Sequence, residues 1–141
     1  LIFEKFLTVL QNNKPLSSDK YSFDAETLTF STKESNLQII CPELSFCTFT
    51  TGYNCTFKTG SNCTFTTGSN CTFTTGEDCT FTTGYNCTFK TGSNCTFKTG
   101  EDCTFTTGED CVVVRRDIYE VIEIKGNIKL RGWRTKGYDE L

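Results

Sequence analysis

The chain has 141 residues, 36% of them apolar, with 10 Cys, 13 Phe, no Met, no His and a formal net charge of -3. That length suits one domain, the absence of His removes the commonest general base, and the lack of a positively charged stripe leaves no nucleic-acid footprint. No apolar run approaches the ~20 residues that cross a bilayer, and no stretch resembles a signal peptide.

Residues 1–10, LIFEKFLTVL, read as a short helix or strand with apolar side chains on more than one side. Asn12, Asn13, Pro15, Ser17 and Ser18 make the stretch to Lys20 a linker by composition. Residues 21–30 place Tyr21, Phe23 and Ala25 on one parity and Leu28 and Phe30 on the other, which predicts one or two short strands with a phase change between them. Residues 37–46 run into the repeat that follows, with Ile39 and Cys41 already at its inward phase. Residues 1–46 are therefore expected to form an N-terminal cap ending in an irregular first coil.

Residues 47–110 are eight tandem octads: CTFTTGYN, CTFKTGSN, CTFTTGSN, CTFTTGED, CTFTTGYN, CTFKTGSN, CTFKTGED and CTFTTGED. Cys-Thr-Phe-Thr/Lys-Thr alternates with period two, and Thr and Phe favour strands. Gly-x-Asn/Asp is a turn signature, since Gly accepts positive φ and Asn or Asp tolerates it best among the rest. Identical turns after every strand give each unit the same path. The expected fold is all-β, a parallel two-sheet solenoid whose units satisfy one another through nearest-neighbour contacts.

Coil size follows from the variable positions. Two octads per coil, 16 residues, keep acidic pairs off acidic pairs and Lys off Lys. Three octads would stack Glu77-Asp78 on Glu101-Asp102, and like charges at strand spacing are destabilising. Four such coils make a rod roughly 19 Å long before its caps. The expected core is Cys47, Phe49, Cys55, Phe57, Cys63, Phe65, Cys71, Phe73, Cys79, Phe81, Cys87, Phe89, Cys95, Phe97, Cys103 and Phe105. The last Thr of each unit, Thr51 and Thr59 onward, shares their parity and lies near the corner, where its hydroxyl can bond turn backbone.

Downstream, residues 111–141 are expected to make a degenerate last coil and a C-terminal cap. Cys111, Val113, Tyr119 and Val121 keep the inward phase, and Lys125-Gly126-Asn127 reads as a turn before a strand at residues 128–130. Residues 132–141 read as a final cover. The basic residues here, Arg115, Arg116, Lys125, Lys129, Arg131, Arg134 and Lys136, read as solvated surface. Both ends need caps, because an open solenoid end exposes unpaired backbone. The alternative is an end built for docking, through which the chain forms a homo-oligomer or filament.

The cysteines recur every eight residues, which matches no zinc-ligand spacing, and cysteines of one ladder point in parallel, which is poor disulfide geometry. Buried free thiols are the favoured reading, some cross-core disulfides the alternative, and reduced thiols point to an intracellular or virion setting. Five N-x-T sequons, at Asn54, Asn62, Asn70, Asn86 and Asn94, read as by-products of a turn Asn beside a strand Thr. No catalytic constellation, cofactor site, metal site or small-molecule site is expected, nor is membrane insertion.

The outward residues form Thr-x-Thr pairs: Thr48/Thr50, Thr64/Thr66 and Thr80/Thr82 on one sheet, continued by Thr96/Lys98, and Thr56/Lys58, Thr72/Thr74, Thr88/Lys90 and Thr104/Thr106 on the other. This arrangement resembles the Cys- and Thr-rich β-solenoid antifreeze proteins of insects, and the resemblance implies an ice-binding face; a surface-binding module whose Thr ladders take ice or a regular glycan is the alternative function. Their repeat is longer and their cysteines are disulfide-bonded, and here Lys interrupts both arrays. The Cys-Thr-Phe-x-Thr-Gly unit, with its tail at residues 111–116, also resembles octapeptide-repeat proteins of large DNA viruses, phages and bacteria, over Cys47 to about Glu123. That resemblance is compatible with a place in a particle or filament and carries no functional residues with it. The expected function is non-enzymatic and structural, a rigid rod associating through its ends or faces.

Overall fold

Alternation within each octad decides which side chains leave water, and the computed structural model, which describes residues 6–141, shows how that alternation is stacked. Its strands are β1 (Thr8–Gln11), β2 (Lys14–Pro15), β3 (Ser22–Asp24), β4 (Thr29–Ser31) and β5 (Leu37–Cys41) in the N-terminal cap. The octads supply β6 (Thr48–Thr50), β7 (Thr56–Thr59), β8 (Thr64–Thr66), β9 (Thr72–Thr74), β10 (Thr80–Thr82), β11 (Thr88–Lys90) and β12 (Thr96–Thr99). Two long bent strands, β13 (Thr104–Arg115) and β14 (Val121–Leu130), and a short β15 (Tyr138–Glu140) complete the chain.

The octads pair in parallel at a lag of two units. Phe49 lies beside Phe65, Phe65 beside Phe81 and Phe81 beside Phe97. On the other sheet Phe57, Phe73, Phe89 and Phe105 follow one another in the same way. The solenoid therefore has 16 residues per coil, as the charge pattern requires, and Lys58, Lys90 and Lys98 neighbour Thr, Ile or Val rather than Lys. The first coil is irregular as expected: Phe30 pairs with Phe49 and Ile39 with Phe57, offsets of 19 and 18 residues.

Every octad Cys and Phe is at most 1% exposed. Rings of one ladder stack at 4.9–5.2 Å with planes within 9° of parallel. Rings of opposite ladders meet edge to face, as Phe73 and Phe81 do at 5.1 Å and 72°. Both arrangements suit the quadrupole of an aromatic ring, so the core is one zipped column of phenyl groups. Beside it run two columns of sulfur. The backbone N–H of Cys55, Cys71, Cys87 and Cys95 each donates to the Sγ of the cysteine one coil on, at 3.3–3.5 Å. Cys thus fills a small apolar site and supplies an acceptor for a buried donor. The corner threonines behave as expected; Thr51 Oγ1 donates to the Gly52 carbonyl at 3.2 Å.

The turns divide their labour differently from the sequence expectation. The last residue of every octad takes the left-handed conformation, from Asn54 at φ 57° to Asp110 at φ 59°. The octad glycines do not; the positive-φ glycines are Gly126 and Gly137. Their role is close approach between coils. A Cβ on Gly60 would stand 2.5 Å from the Leu44 carbonyl oxygen, and one on Gly76 or Gly84 would overlap the hydroxyl of Ser61 or Ser69.

Both ends stop the parallel stacking with antiparallel strands. β1 closes β5 and β3 closes β4 at one end, while β14 lies along both arms of β13, with a break in register between Thr107 and Cys111, at the other. Of residues 1–10, read as a short helix or strand, residues 1–5 lie outside the described residues, and the strand begins at Thr8, where the backbone pairs with β5. The last coil also differs. Cys111 and Val113 are buried, but Tyr119 is 90% and Val121 59% exposed, because the chain reverses at residues 115–120 and returns antiparallel. Lys125-Gly126-Asn127 is the point where β14 bends round the solenoid edge, not a break between strands.

Candidate functional site

The geometry leaves four kinds of feature facing solvent: two sheets, two corners, one reversed loop and one open edge. The outward threonines stand where the octad parity puts them. Thr48, Thr50, Thr64, Thr66, Thr80 and Thr82 form two columns in register over three rungs, with Thr96 and Lys98 on the fourth. On the other sheet the fourth octad position alternates lysine with threonine, reading Lys58, Thr74, Lys90 and Thr106 down one column.

The corners are chemically distinct, which the sequence expectation missed. On one, the seventh octad position stacks as Ser35, Tyr53, Ser69, Tyr85 and Glu101, linked by Asn36 N–H to Tyr53 O, Asn54 N–H to Ser69 O, Asn70 N–H to Tyr85 O and Asn86 N–H to Glu101 O. On the other it stacks as Ser45, Ser61, Glu77, Ser93 and Glu109. Serine alternates with a larger residue from Ser35 to Tyr85 on one and from Ser61 to Glu109 on the other. Each small residue is a serine whose Oγ accepts the backbone N–H of the residue one coil on: Ser69 accepts from Tyr85 at 3.0 Å and Ser93 from Glu109 at 3.0 Å. The signal was present in the octads as Tyr/Ser/Tyr/Glu and Ser/Glu/Ser/Glu when every second unit is read.

The reversed loop is held by a buried cation. Arg115 occupies the corner-threonine phase of its unit and is 4% exposed, which corrects its reading as solvated surface. Its guanidinium donates to Asp117 through Nε at 2.8 Å and Nη2 at 2.7 Å, to Glu120 at 3.2 Å, and to the carbonyls of Gly132 and Thr135. A forked guanidinium satisfies these acceptors together as no point charge could. Asp117 also accepts the Arg134 N–H at 2.7 Å. Burial pushes the Asp117 carboxyl up, but the bonds from Arg115 and the Arg134 N–H outweigh it and hold the group below the usual carboxylate range.

The open edge belongs to β14. Arg115 N–H bonds Glu120 O and Leu130 N–H bonds Cys103 O, so even-numbered residues of this strand turn their peptide groups inward. Leu141 N–H bonds Asn127 O and Arg131 N–H bonds Gly137 O, so odd-numbered ones turn outward. β15 covers only Ile128–Leu130. By alternation, the outward peptide groups of Val121, Glu123 and Lys125 have no strand beside them among the described residues.

The thiols are packed away from chemistry. All ten cysteines are free and buried. Burial pushes Cys41 up to about 12, and the hydrogen bond with Cys103, followed by burial, pushes Cys87 up to about 11. Cys47 and Cys103 are shifted down by their hydrogen bonds with Cys63 and Cys87, yet each is at most 1% exposed. A thiolate must form and be reached to react. At pH 8 a soluble alkylating reagent is expected to modify none of the ten thiols in the native protein within minutes and all ten in denaturant; mass spectrometry of the quenched samples checks this.

Among the described residues no group of three or more Cys, Asp or Glu side chains is placed to hold a metal ion, and no helix is long and apolar enough to cross a membrane. Comparison of the chain with protein families, with curated proteins and with solved structures finds no match.

Proposed function

We propose that the protein is a non-enzymatic structural component, a rigid solenoid rod that associates with further copies of itself through its C-terminal edge. One observation carries this reading: among the described residues, β14 leaves the outward N–H and C=O groups of Val121, Glu123 and Lys125 unpaired, next to exposed Tyr119 and Val121. An uncovered edge with an apolar flank is a template for strand addition. The N-terminal end is finished differently, by the two-residue β2, which contains Pro15, and by the three-residue β3. A place in a particle or filament, in a setting that keeps thiols reduced, is compatible with this rod.

Light scattering coupled to size-exclusion chromatography tests the reading. The wild-type mass is expected to rise with concentration, and Glu123→Pro to elute as a monomer with unchanged circular dichroism, because its lost N–H points outward and serves no internal bond. A wild-type chain that stays monomeric across the accessible range contradicts it.

A further inference from the structure

We propose that the corner carrying Tyr53 and Tyr85 docks a proline-rich segment of another protein in the polyproline II conformation. Tyr53 and Tyr85 are 57% and 51% exposed and line one cleft, whose floor is Ser69. Tyr85 and Trp133, the latter 61% exposed, line the next cleft, over Glu101. Burying large aromatic side chains is favourable, so three exposed rings bordering two adjoining clefts mark an interaction surface. The opposite corner carries Ser61, Glu77, Ser93 and Glu109 in the same positions and no such row.

The spacing selects the ligand. Tyr53 and Tyr85 are two coils apart, about 9.6 Å at the ~4.8 Å strand spacing. A polyproline II turn of three residues at ~3.1 Å each advances about 9.3 Å. A segment lying along the solenoid axis therefore presents equivalent residues to successive clefts, and grooves between aromatic rings take the flat pyrrolidine rings of such segments. The ligand's solvated carbonyls need donors, which the tyrosine hydroxyls and the indole N–H supply. The site is preformed: Ser69 Oγ accepts the Tyr85 N–H at 3.0 Å, and the Arg134 guanidinium lies 5.0 Å from the Trp133 ring centre. A stiff ligand meeting a stiff surface loses little conformational freedom.

Charge narrows the choice further. The first cleft is uncharged. Around the second, Arg115, Arg116 and Arg134 are balanced by Glu101, Asp117 and Glu120. Single-stranded nucleic acid would need a positively charged groove beside its stacking rings, whereas an uncharged segment matches a balanced surface.

Trp133 is the sole tryptophan, so its emission reports the site directly. The probes are decaproline, a Gly/Ser decapeptide and a β-linked glucose hexamer. Decaproline is expected to shift the emission saturably, and a tenfold rise in salt to leave its affinity unchanged. Tyr85→Ala, which opens both clefts, and Ser69→Tyr, which fills the first, should each weaken it by about tenfold or more. Ser93→Tyr, the same change on the opposite corner, should bind as the wild type does, and circular dichroism confirms that all three variants keep the fold. The proposal is overturned by no saturable response to decaproline, by an equal response to the Gly/Ser decapeptide, by a response that Tyr85→Ala and Ser69→Tyr leave intact, by steep loss with salt, or by a response to the glucose hexamer alone.

Discussion

Arg115→Ala is expected to lower the unfolding free energy by about 3–5 kcal/mol, the range for removing one partner of a buried ion pair. The substitution leaves Asp117, whose side chain is 2% exposed, as a buried carboxylate with backbone N–H donors and no cation. It also removes the guanidinium donor from the carbonyls of Gly132 and Thr135, so residues 132–135 lose two of their bonds to the last coil. Chemical denaturation monitored by circular dichroism measures the loss. The exposed pair Lys125–Glu109, 3.0 Å apart but about 70% exposed, is the control, and Lys125→Ala should change stability little. The same cluster sets an acid limit. The folded Asp117 lies below its unfolded value of about 3.9. Its contribution is therefore complete above about pH 4 and is lost as pH falls through the folded value. Wild-type stability should decline in that acid window, and Arg115→Ala should decline less steeply there.

Phe73→Ala is expected to cost a similar amount, about 3–5 kcal/mol. Phe73 is fully buried in the middle of the phenyl column, stacked on Phe57 and Phe89 at 5.0 Å and edge-on to Phe65 and Phe81 at 5.2 and 5.1 Å. Neighbouring octads supply all four contacts, and a solenoid holds together through nearest-neighbour contacts. A lesion at this rung should therefore split the unfolding transition as well as lower it. Phe30→Ala, at the end of the column beside Tyr21 and Phe49, should cost less because part of its surroundings can collapse. Urea titrations of both variants, with the slope compared to wild type, separate the two effects.

Much of the fold was legible because the octad repeats one instruction eight times. Parity put Cys and Phe inside and the first Thr outside, and the placing of Glu77, Glu101 and the lysines chose two units per coil over three. Residues 21–30 were readable as one or two short strands with a phase change; the structure makes that change a turn, with Leu28 at φ 54°, that pairs β3 with β4. What was not legible depends on neighbours from other coils. Glycine in Gly-x-Asn suggested positive φ, but its reason is the close approach of the seventh-position residue or a carbonyl of the coil before. Tyr119 and Val121 keep the inward parity in the sequence, yet the buried Arg115 pairs with Asp117 and Glu120 and turns the chain back before they can be used. A reversal driven by an ion pair leaves no trace in hydrophobic periodicity.

The candidate surfaces divide in the same way. The Thr columns came directly from parity. The two corners required reading every second octad, because the alternation of Ser with Tyr on one and Ser with Glu on the other exists only once the coil size is known. The open edge of β14 depends on how far β15 reaches along it, which no pattern within the strand records.

The coil size is thus the claim on which the corners, the phenyl column and the faces all rest. A nuclear Overhauser spectrum of the labelled protein tests it most directly at Tyr85, since tyrosine marks only two octads. The solenoid with 16 residues per coil places the Tyr85 amide against Ser69, whose Oγ accepts it at 3.0 Å, so cross-peaks between the Tyr85 amide proton and the Ser69 β-protons are expected. Cross-peaks from that amide to Glu77 or to Ser61 instead, one or three octads away, would contradict the architecture and every surface derived from it.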